Sequence, residues 1–582
     1  MQDQQNEQVI PARQAHISRR QFLRGAAVIG GGAVLSAIVA ACGAAPTAAP
    51  ANTAAPAAAT AAPANTAAGA ATAVSAATKA PAATTAAAAG SPKIGGVLTW
   101  GMEFPPVNMI PFGGISQGQV LSKEMLYDSL VEWDKDLIVK PAIAESWETP
   151  DDKTWIWHLR KGLKFHDGSE VTADDVKYSI ELQANPPPPG VKVGQYPKIA
   201  SVDVVDKYTA KFNMTGPDPT VLGYLAWARY SPIIPKGLYD KINVLTNGIG
   251  TGPFKLKEFV ENDRIVNVRN TDFWKPGQPY LDGLTFKVLP DESSRVAALR
   301  SGAIDGCVIT PDTAKQLAND PTITVYKGPV SAPRVLQFTI KGDAKPWNKK
   351  EVRQAISKGI DRQRIIDNVY AGQAVYTGPV PPGYGDWFIS PDELSKGTQK
   401  YDPDGAKKLL ATAGFPNGFD ILLYTISAPN DYTQIGEVVK ENLAKIGINV
   451  TVQPEEIGSI SKRVGDGSFD FLATGRGMRP DVTGHVVDFG RPNAGGAKAW
   501  FGEKGWSNAE ASTLYEQMLV NLDSKTRHDQ ARRLQDIVLD EVPHVYLVQP
   551  YVFNAVRSYV KNHYVSFTNF NVSLRTVWID KG

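Results

Sequence analysis

The chain has 582 residues, with 61 Lys and Arg against 59 Asp and Glu, so its formal net charge is +2. This balance argues against nucleic acid as a partner, because nucleic-acid-binding domains carry a clear basic excess. With only two cysteines, Cys42 and Cys307, the chain has no disulfide framework. Its length exceeds what a single hydrophobic core usually supports, so we expect more than one lobe.

The N-terminal segment has the pattern of an export signal. Arg19-Arg20 precede an Ala, Gly and Val run, 26–41, that is too short and too weakly apolar to span a membrane. The arginine pair with Phe22-Leu23 is typical of a twin-arginine signal. Val39-Ala40-Ala41-Cys42 resembles a bacterial lipobox, which implies lipid attachment at Cys42; an uncleaved anchor helix is the alternative. We therefore expect residues 1–42 to be a twin-arginine-like lipoprotein signal peptide.

Residues 43–92 form a low-complexity tract of Ala, Thr, Pro and Asn. The tract has neither apolar periodicity nor large side chains, so it is predicted to be a disordered tether. A flexible chain of that length reaches on the order of 40 Å. Such a tether suits a protein that is lipid-anchored to the outer, periplasm-facing side of the cell membrane.

The most informative segment is 141–179, PAIAESWETPDDKTWIWHLRKGLKFHDGSEVTADDVKYS. Its pattern predicts a short helix at 143–147, a strand at 155–160 and a turn at Asp167-Gly168. Thr172 is the expected N-cap of a helix that has acids in its first turn. The order of these elements resembles the signature block of the oligopeptide, dipeptide and nickel class of extracellular solute-binding proteins, family 5, which serve ABC importers.

The second half of the chain alternates helices and strands, which indicates an α/β lobe. Asp402 is the predicted N-cap of a helix with Pro403 at its first position and Gly414 after its end. An apolar pattern at helical spacing, 435–446, leads into a strand at 448–452. A last strand segment is expected at 544–556.

The resemblance covers roughly residues 95–582 and implies a two-lobed α/β fold of the periplasmic-binding-protein type, type II, in the large form with an extra subdomain. It implies two hinge strands, near Leu336–Thr339 and Tyr546–Pro550, and ligand capture by closure of the lobes. The expected ranges are lobe I at 93–134, 243–340 and 545–582, the subdomain at 135–242, and lobe II at 341–544.

The function that the resemblance implies is binding of a peptide or peptide-sized solute, which a monomer with no cofactor delivers to ABC permease subunits and their ATPases. The alternatives are a protein for a sugar, an anionic solute or a metal chelate, or a sensory binding protein. A remote alternative is an exported hydrolase, because Gly114-Ile115-Ser116-Gln117-Gly118 matches G-x-S-x-G. That motif lacks the preceding strand that a nucleophile elbow needs, so we expect no enzyme activity.

The candidate ligand loop is FDFLATGRGMRPD, 469–481. Peptide-binding relatives place here an Asp that pairs with the peptide ammonium group, and that position falls on Arg479; a two-residue shift would restore it as Asp481. Arg476 replaces the family's usual Trp. Two arginines suit an anionic group, since guanidinium binds carboxylate or phosphate bidentately. Alternatively, both arginines pair with local acids such as Asp481 or Asp488.

Further candidates are weaker, because each is as easily explained by ordinary packing. Adjacent residues on a strand end point to opposite faces, so His166 beside Asp167 is expected to be structural. A lone histidine, His485, is insufficient for a metal site. The remaining candidate ligand-binding residues are Met102, Glu103, Phe104, Trp387 and Met478.

Overall fold

The computed structural model describes residues 91–582 except 107, 113–116, 186–196, 330–331, 342–344, 429, 568–571 and 582. The predicted signal peptide, nearly all of the predicted tether and the lipid site at Cys42 lie outside the described residues, as does most of the G-x-S-x-G motif. Within the described part, no helix combines the length and apolar character needed to cross a membrane.

The strands are short to medium in length and occur throughout the described chain. In chain order they are β1 (Val97–Met102), β2 (Val131–Trp133), β3 (Val139–Pro141), β4 (Ala144–Asp151), β5 (Thr154–Leu159), β6 (Ile199–Asp206), β7 (Thr209–Met214), β8 (Phe254–Val260), β9 (Arg264–Arg269), β10 (Gly283–Val288), β11 (Gly306–Ile309), β12 (Ile323–Pro329), β13 (Arg334–Phe338), β14 (Ala374–Tyr376), β15 (Phe419–Ile426), β16 (Ile448–Glu455), β17 (Phe471–Gly475), β18 (His544–Tyr546), β19 (Val548–Arg557), β20 (Val560–Lys561) and β21 (Trp578–Ile579).

The α-helices become more frequent after residue 350. They are α1 (Gln117–Leu126), α2 (Ala173–Ala184), α3 (Val221–Leu225), α4 (Leu238–Lys241), α5 (Glu292–Ser301), α6 (Pro311–Leu317), α7 (Lys350–Gly359), α8 (Arg362–Tyr370), α9 (Pro391–Lys396), α10 (Pro403–Thr412), α11 (Asp431–Ala444), α12 (Ile457–Asp466), α13 (Thr483–Gly490), α14 (Ala497–Phe501), α15 (Ala509–Met518) and α16 (Ser524–Glu541).

Three sheets of four or more strands and two two-stranded sheets, β2-β3 and β20-β21, organise the strands. An eight-stranded sheet has the order β12-β19-β11-β1-β10-β9-β8, with β14 added along β19. A five-stranded sheet has the order β16-β15-β17-β13-β18, and a four-stranded sheet has the order β4-β5-β7-β6. In the five-stranded sheet, β15 runs parallel to both β16 and β17. Mixed α/β architecture confirms the predicted fold class.

Two main crossovers join the two large sheets, and between them β14 returns briefly to pair with β19 in the eight-stranded sheet. The chain leaves the eight-stranded sheet at Pro329 and enters the five-stranded sheet at Arg334; it returns between Tyr546 and Val548. The second crossover agrees with the prediction. The first precedes the predicted 336–339, which lies inside β13, because an apolar strand pattern identifies a strand but not the sheet to which it pairs. The ranges of the lobes and of the subdomain stay predictions.

The signature block is partly as predicted. The helix expected at 143–147 is wrong: the chain there enters β4, which pairs antiparallel with β5 and places Trp147 opposite Trp157. Cross-strand packing of these rings, 5.7 Å apart, outweighs the weak helical preference of a five-residue segment. Thr172 is confirmed as the N-cap of α2, and its backbone N–H and hydroxyl both donate to the Asp175 carboxylate at 2.8 Å.

His166 has a structural role, as expected. Its Nε2 donates to the carbonyl of Gly252 at 3.0 Å, and its Nδ1 accepts from the N–H of Gly250 at 3.3 Å. Burial lowers the pKa of His166 to about 4, so the neutral ring ties the turn at 165–169 to the turn before β8.

The predicted capping residues of the second half are confirmed. Asp402 caps α10 by accepting the N–H of Gly405 at 2.9 Å, Pro403 opens that helix, and Gly414 has the positive φ of +92° that glycine adopts freely. The largest core cluster lies around the five-stranded sheet and its helices. Three aromatic residues from the 221–230 segment, Tyr224, Trp227 and Tyr230, join this core although they precede that sheet by about a hundred residues of chain.

Candidate functional site

The candidate ligand loop begins where β17 ends, at Gly475. The strand is held between β13 and β15, so the loop starts from a rigid position. Arg476 turns inward: its guanidinium forms an ion pair with Asp488 on α13 and lies 5.4 Å from the Trp500 ring. Burial by itself lowers the pKa of Arg476, yet Asp488 holds that pKa above its ordinary value. Arg476 therefore follows the alternative prediction of pairing with a local acid.

Arg479 is different, because its guanidinium has no ion pair or hydrogen bond within the described residues. Its aliphatic stem lies against Gly484, where an added Cβ would come 2.8 Å from the Cβ of Arg479. The side chain is half-buried. Arginine carries five donors and a permanent charge, so a partly desolvated head without an acceptor is positioned to take one from a solute.

The backbone of Arg479 is fixed by the hydroxyl of Tyr384. That hydroxyl donates to the carbonyl of Arg479 at 2.7 Å and accepts its N–H at 3.0 Å. The same hydroxyl lies 2.8 Å from Nε2 of His485, and donation from Nε2 satisfies both groups. Burial, followed by the charges of Arg479 and Arg476, lowers the pKa of His485 well below its ordinary value, so the ring is neutral.

Across from this loop stands the segment 221–230. A Cβ added to Gly223 would lie 2.4 Å from the carbonyl oxygen of Pro480, so the backbones are in direct contact. Phe567, near the C-terminus, packs edge-on against Tyr384 with ring centroids 5.0 Å apart. These contacts join the residues before β13 and after β19 to the loop that follows β17, and they define the interlobe surface of this structure.

Positive charge accumulates at the interlobe surface. Burial, followed by the nearby Arg229, lowers the pKa of Lys123 to about 7. Burial also lowers the pKa of Arg229, and Arg479 lowers it further. Lys123, Arg229 and Arg479 are thus basic groups from α1, from the segment after α3 and from the loop after β17 that influence one another, with Glu124 acting in the opposite direction on Arg229. Like charges disfavour one another in a partly desolvated space, and a bound anion would relieve that cost.

Three other predicted ligand-binding residues already have partners within the protein. Asp481 pairs with Arg527 and accepts the N–H of Thr483 at 2.9 Å, so it does not replace the ammonium-binding acid of peptide-binding relatives. Met478 is buried in the core. Trp387 packs on α16: its ring lies 5.4 Å from the Arg527 guanidinium, and its carbonyl accepts from Gln535 at 2.8 Å.

The three candidate residues at the end of β1 and just after it differ in their exposure to solvent. Met102 is buried, whereas Phe104 is 41% exposed. Glu103 is half-buried and has no hydrogen-bond partner within the part of the chain that the structure describes. Burial raises the pKa of Glu103; Arg295 opposes this rise, and Asp431 at the start of α11 adds to it.

Sequence reasoning missed Tyr384, Lys123 and Arg229. The run Trp227-Ala228-Arg229-Tyr230 carried a usable signal, since an arginine between two large aromatic residues is typical of a recognition surface. Among the described residues, no group of three or more His, Cys, Asp or Glu is arranged to hold a metal ion.

A two-lobed fold with crossover strands and a charged interlobe surface is the architecture of a binding protein. The family described as "Bacterial extracellular solute-binding proteins, family 5 Middle" matches residues 139–491. The chain belongs to this family.

Named relatives agree with the assignment. The glutathione-binding protein GsiB of Salmonella paratyphi A is 28% identical over 466 residues, which cover 76% of this chain and 86% of that protein. The heme-binding protein A of Haemophilus influenzae is 31% identical over 381 residues, 60% of this chain and 68% of that protein. The solved structure of the periplasmic binding protein DppA from Helicobacter pylori, in complex with the peptide STSA, is 27% identical, with a TM-score of 0.71 over 84% of this chain and 99% of that one.

The chain is therefore similar to extracytoplasmic solute-binding components of ABC importers, and the function predicted from the sequence is confirmed at that level. The family binds solutes rather than transforming them.

Proposed function

We propose that this protein is a lipid-anchored, extracytoplasmic receptor that captures a peptide-sized solute bearing a carboxylate or another anionic group, and delivers it unchanged to an ABC permease. The observation that carries the ligand class is the Arg479 guanidinium, which lacks a partner in the described chain while Arg229 and Lys123 stand nearby. Glutathione, which the relative GsiB binds according to its name, has two carboxylates and agrees with this choice.

The reversal of charge at Arg479 separates this protein from relatives that bind a peptide ammonium group at that position. An acid there attracts a cation, and an arginine repels it by several kcal/mol at short range. A free peptide N-terminus is thus excluded from this end of the site, while its C-terminus fits. Glu103 is half-buried and has no hydrogen-bond partner among the described residues, which supports it as an acceptor for a donor group of such a solute.

Thermal denaturation with added solutes tests the ligand class. Glutathione, dipeptides, monosaccharides and histidine–nickel chelates serve as the first probes. A ligand present at 100 times its dissociation constant stabilises the protein by about 2.7 kcal/mol. Stabilisation by anionic solutes and not by their amides supports the proposal; stabilisation only by cationic or neutral solutes contradicts it.

Replacing Cys42 with Ala is expected to release the protein from the membrane fraction, because the lipobox-like run 39–42 would lose its acylated residue. Fractionation of cells expressing wild-type protein and Cys42→Ala measures this directly. Cys307→Ala is the matched control, since that thiol is buried and leaves the anchor intact. Sedimentation of the Cys42→Ala protein with membranes at the wild-type level would show that the anchor is elsewhere.

Ligand binding is expected to close the lobes without chemical turnover. The two crossovers, 329–334 and 546–548, are short connections that can absorb a hinge rotation. Small-angle scattering with a ligand from the screen should give a smaller radius of gyration than the free protein. Mass spectrometry of the recovered ligand checks the absence of turnover. A chemically altered ligand would refute the expectation that the protein is not an enzyme.

A further inference from the structure

The chain that follows β20 is fixed to the eight-stranded sheet. The ring of His563 has its centroid 5.5 Å from that of Trp100 in β1 and 5.1 Å from that of Tyr326 in β12. Its Nε2 accepts a hydrogen bond from the side-chain amide of Asn554 in β19 at 3.0 Å. Phe567, four residues further along, therefore has a fixed position relative to this sheet.

Phe567 reaches the loop between β14 and α9. Its ring packs edge-on against Tyr384, with centroids 5.0 Å apart and planes at 85°. A Cβ added to Gly383 would lie 1.9 Å from the same ring, so a glycine is needed for this close approach. Phe567 is buried in the core cluster around the five-stranded sheet, although its own segment is fixed to the other large sheet. The contact between Phe567 and Tyr384 therefore joins the two sides of the molecule.

The hydroxyl of Tyr384 connects this contact to the candidate ligand loop. It donates to the carbonyl of Arg479 at 2.7 Å, accepts the N–H of Arg479 at 3.0 Å, and lies 2.8 Å from Nε2 of His485. One donated and two accepted bonds use the full capacity of a phenolic hydroxyl. The ring of His485 also packs edge-on against Tyr384, with centroids 4.8 Å apart. Phe567 and His485 thus both restrict the orientation of the tyrosine ring.

The main chain of Arg479 determines where its guanidinium lies. Pro480 follows it, and a residue that precedes proline is restricted to extended conformations. The stem of Arg479 packs on Gly484 in α13, where an added Cβ would lie 2.8 Å from the Cβ of Arg479. Hydrogen bonds weaken steeply as their angle departs from linear. Because both main-chain polar groups of Arg479 bond to Tyr384, the position of this tyrosine controls the direction in which the guanidinium can donate.

We propose that Tyr384 and Phe567 are positioning residues for Arg479. Phe567 holds Tyr384 when the two sides of the molecule are together, and the Tyr384 hydroxyl then orients the main chain of Arg479 so that its guanidinium meets the anionic group of the solute. This inference rests on the proposed anion-binding role of Arg479. It makes the affinity for an anionic group depend on closure of the lobes, because the aromatic contact and the oriented arginine form together.

Hydrogen exchange of the intact protein tests this link and requires no solute. Mass spectrometry of a peptide that spans 476–482 follows the Arg479 N–H, which the Tyr384 hydroxyl accepts. Phe567→Leu and Tyr384→Phe should each speed exchange of this amide about fivefold to tenfold, the net value of one hydrogen bond. Tyr559→Phe is the matched control, because it removes a hydroxyl that donates to Asp305 beside β11, and it should leave the peptide unchanged. Wild-type exchange in both Phe567→Leu and Tyr384→Phe would overturn the inference.

Calorimetry with glutathione and with its diethyl ester, in which both carboxylates are masked, measures the effect on selectivity. Tyr384→Phe and Phe567→Leu should each raise the Kd of glutathione about fivefold to tenfold and leave that of the ester unchanged. Equal weakening of both probes would show a general structural defect and would contradict the positioning role. When Arg479 is already replaced by Ala, neither substitution should weaken glutathione binding further.

The same titrations separate this inference from the proposed function. Wild-type affinity for glutathione in Arg479→Ala would refute the anion-binding role of Arg479, and the positioning role with it. Loss of affinity in Arg479→Ala, with wild-type affinity in folded Tyr384→Phe and Phe567→Leu proteins, would leave the proposed function in place and refute the positioning role alone.

Discussion

Arg479→Ala is expected to weaken ligand binding by about 30-fold to about 4,000-fold, corresponding to about 2–5 kcal/mol for truncation of one partner in a buried, charge-assisted contact. The reason is local: Tyr384 fixes the backbone of Arg479 through two hydrogen bonds, and the guanidinium head has no partner in the described chain. The ligand would supply the acceptor, and the alanine variant would lose both the charge and the oriented donors.

Calorimetry with an anionic ligand from the thermal screen measures this effect. Arg491→Ala is the matched control, because Arg491 pairs with the exposed Glu516 and lies on the far end of α13. The control should bind with wild-type affinity. Wild-type affinity in a correctly folded Arg479→Ala protein would refute the assignment of Arg479 to the ligand, and loss of affinity in both variants would indicate a nonspecific effect of net charge.

The contrast between Arg476 and Arg479 shows where sequence reasoning stops. Both arginines were equal candidates, and the composition of the loop offered Asp481 and Asp488 as partners for either. The structure pairs Arg476 with Asp488, while Asp481 pairs with Arg527, forty-six residues further along the chain. Which acid pairs with which arginine depends on how α13 and α16 pack. The spacing of residues along the sequence does not determine that long-range packing.

Elements with strong local signals were predictable. The N-cap of α10 and the helical spacing of α11 depend on neighbouring residues alone, so the sequence specifies them. The start of β4 was mistaken for a helix because its strand character comes from pairing with β5 and from the Trp147–Trp157 contact. Residues whose role needs a distant partner, such as Tyr384 with Arg479, likewise escaped prediction.

Asp128→Asn is expected to reduce the free energy of unfolding by about 3–5 kcal/mol, the cost of removing one member of a buried ion pair. Asp128 belongs to the LYDSLVEWD segment after α1, and its carboxylate holds three parts of the chain together. It pairs with Arg575 near the C-terminus, and it accepts from the Trp274 indole at 3.0 Å and the Thr251 hydroxyl at 3.1 Å. Urea unfolding of wild type and variant measures the difference, with the exposed Asp529→Asn as a control expected to match wild type.

The pH dependence of the same pair of proteins gives an independent check. Burial alone would raise the pKa of Asp128, but the charge and hydrogen bond of Arg575, with the Trp274 bond, hold that pKa below its ordinary value. A carboxyl whose pKa is lower in the folded state contributes stability above the pKa of the unfolded group, and loses it as pH falls toward the folded value. The difference in the free energy of unfolding between wild type and Asp128→Asn should therefore be constant near neutral pH and become smaller only at acidic pH.

A double-variant cycle separates the ion pair from simple loss of packing. In Asp128→Asn, the Arg575 guanidinium remains buried without its carboxylate, and that orphaned charge accounts for most of the expected loss. Adding Arg575→Met removes the orphan, so the double variant should be less destabilised than the sum of the single variants. Strict additivity of the two single effects, or an Asp128→Asn protein as stable as wild type at neutral pH, would show that Asp128 does not hold the segments after α1, before β8 and before β21 together.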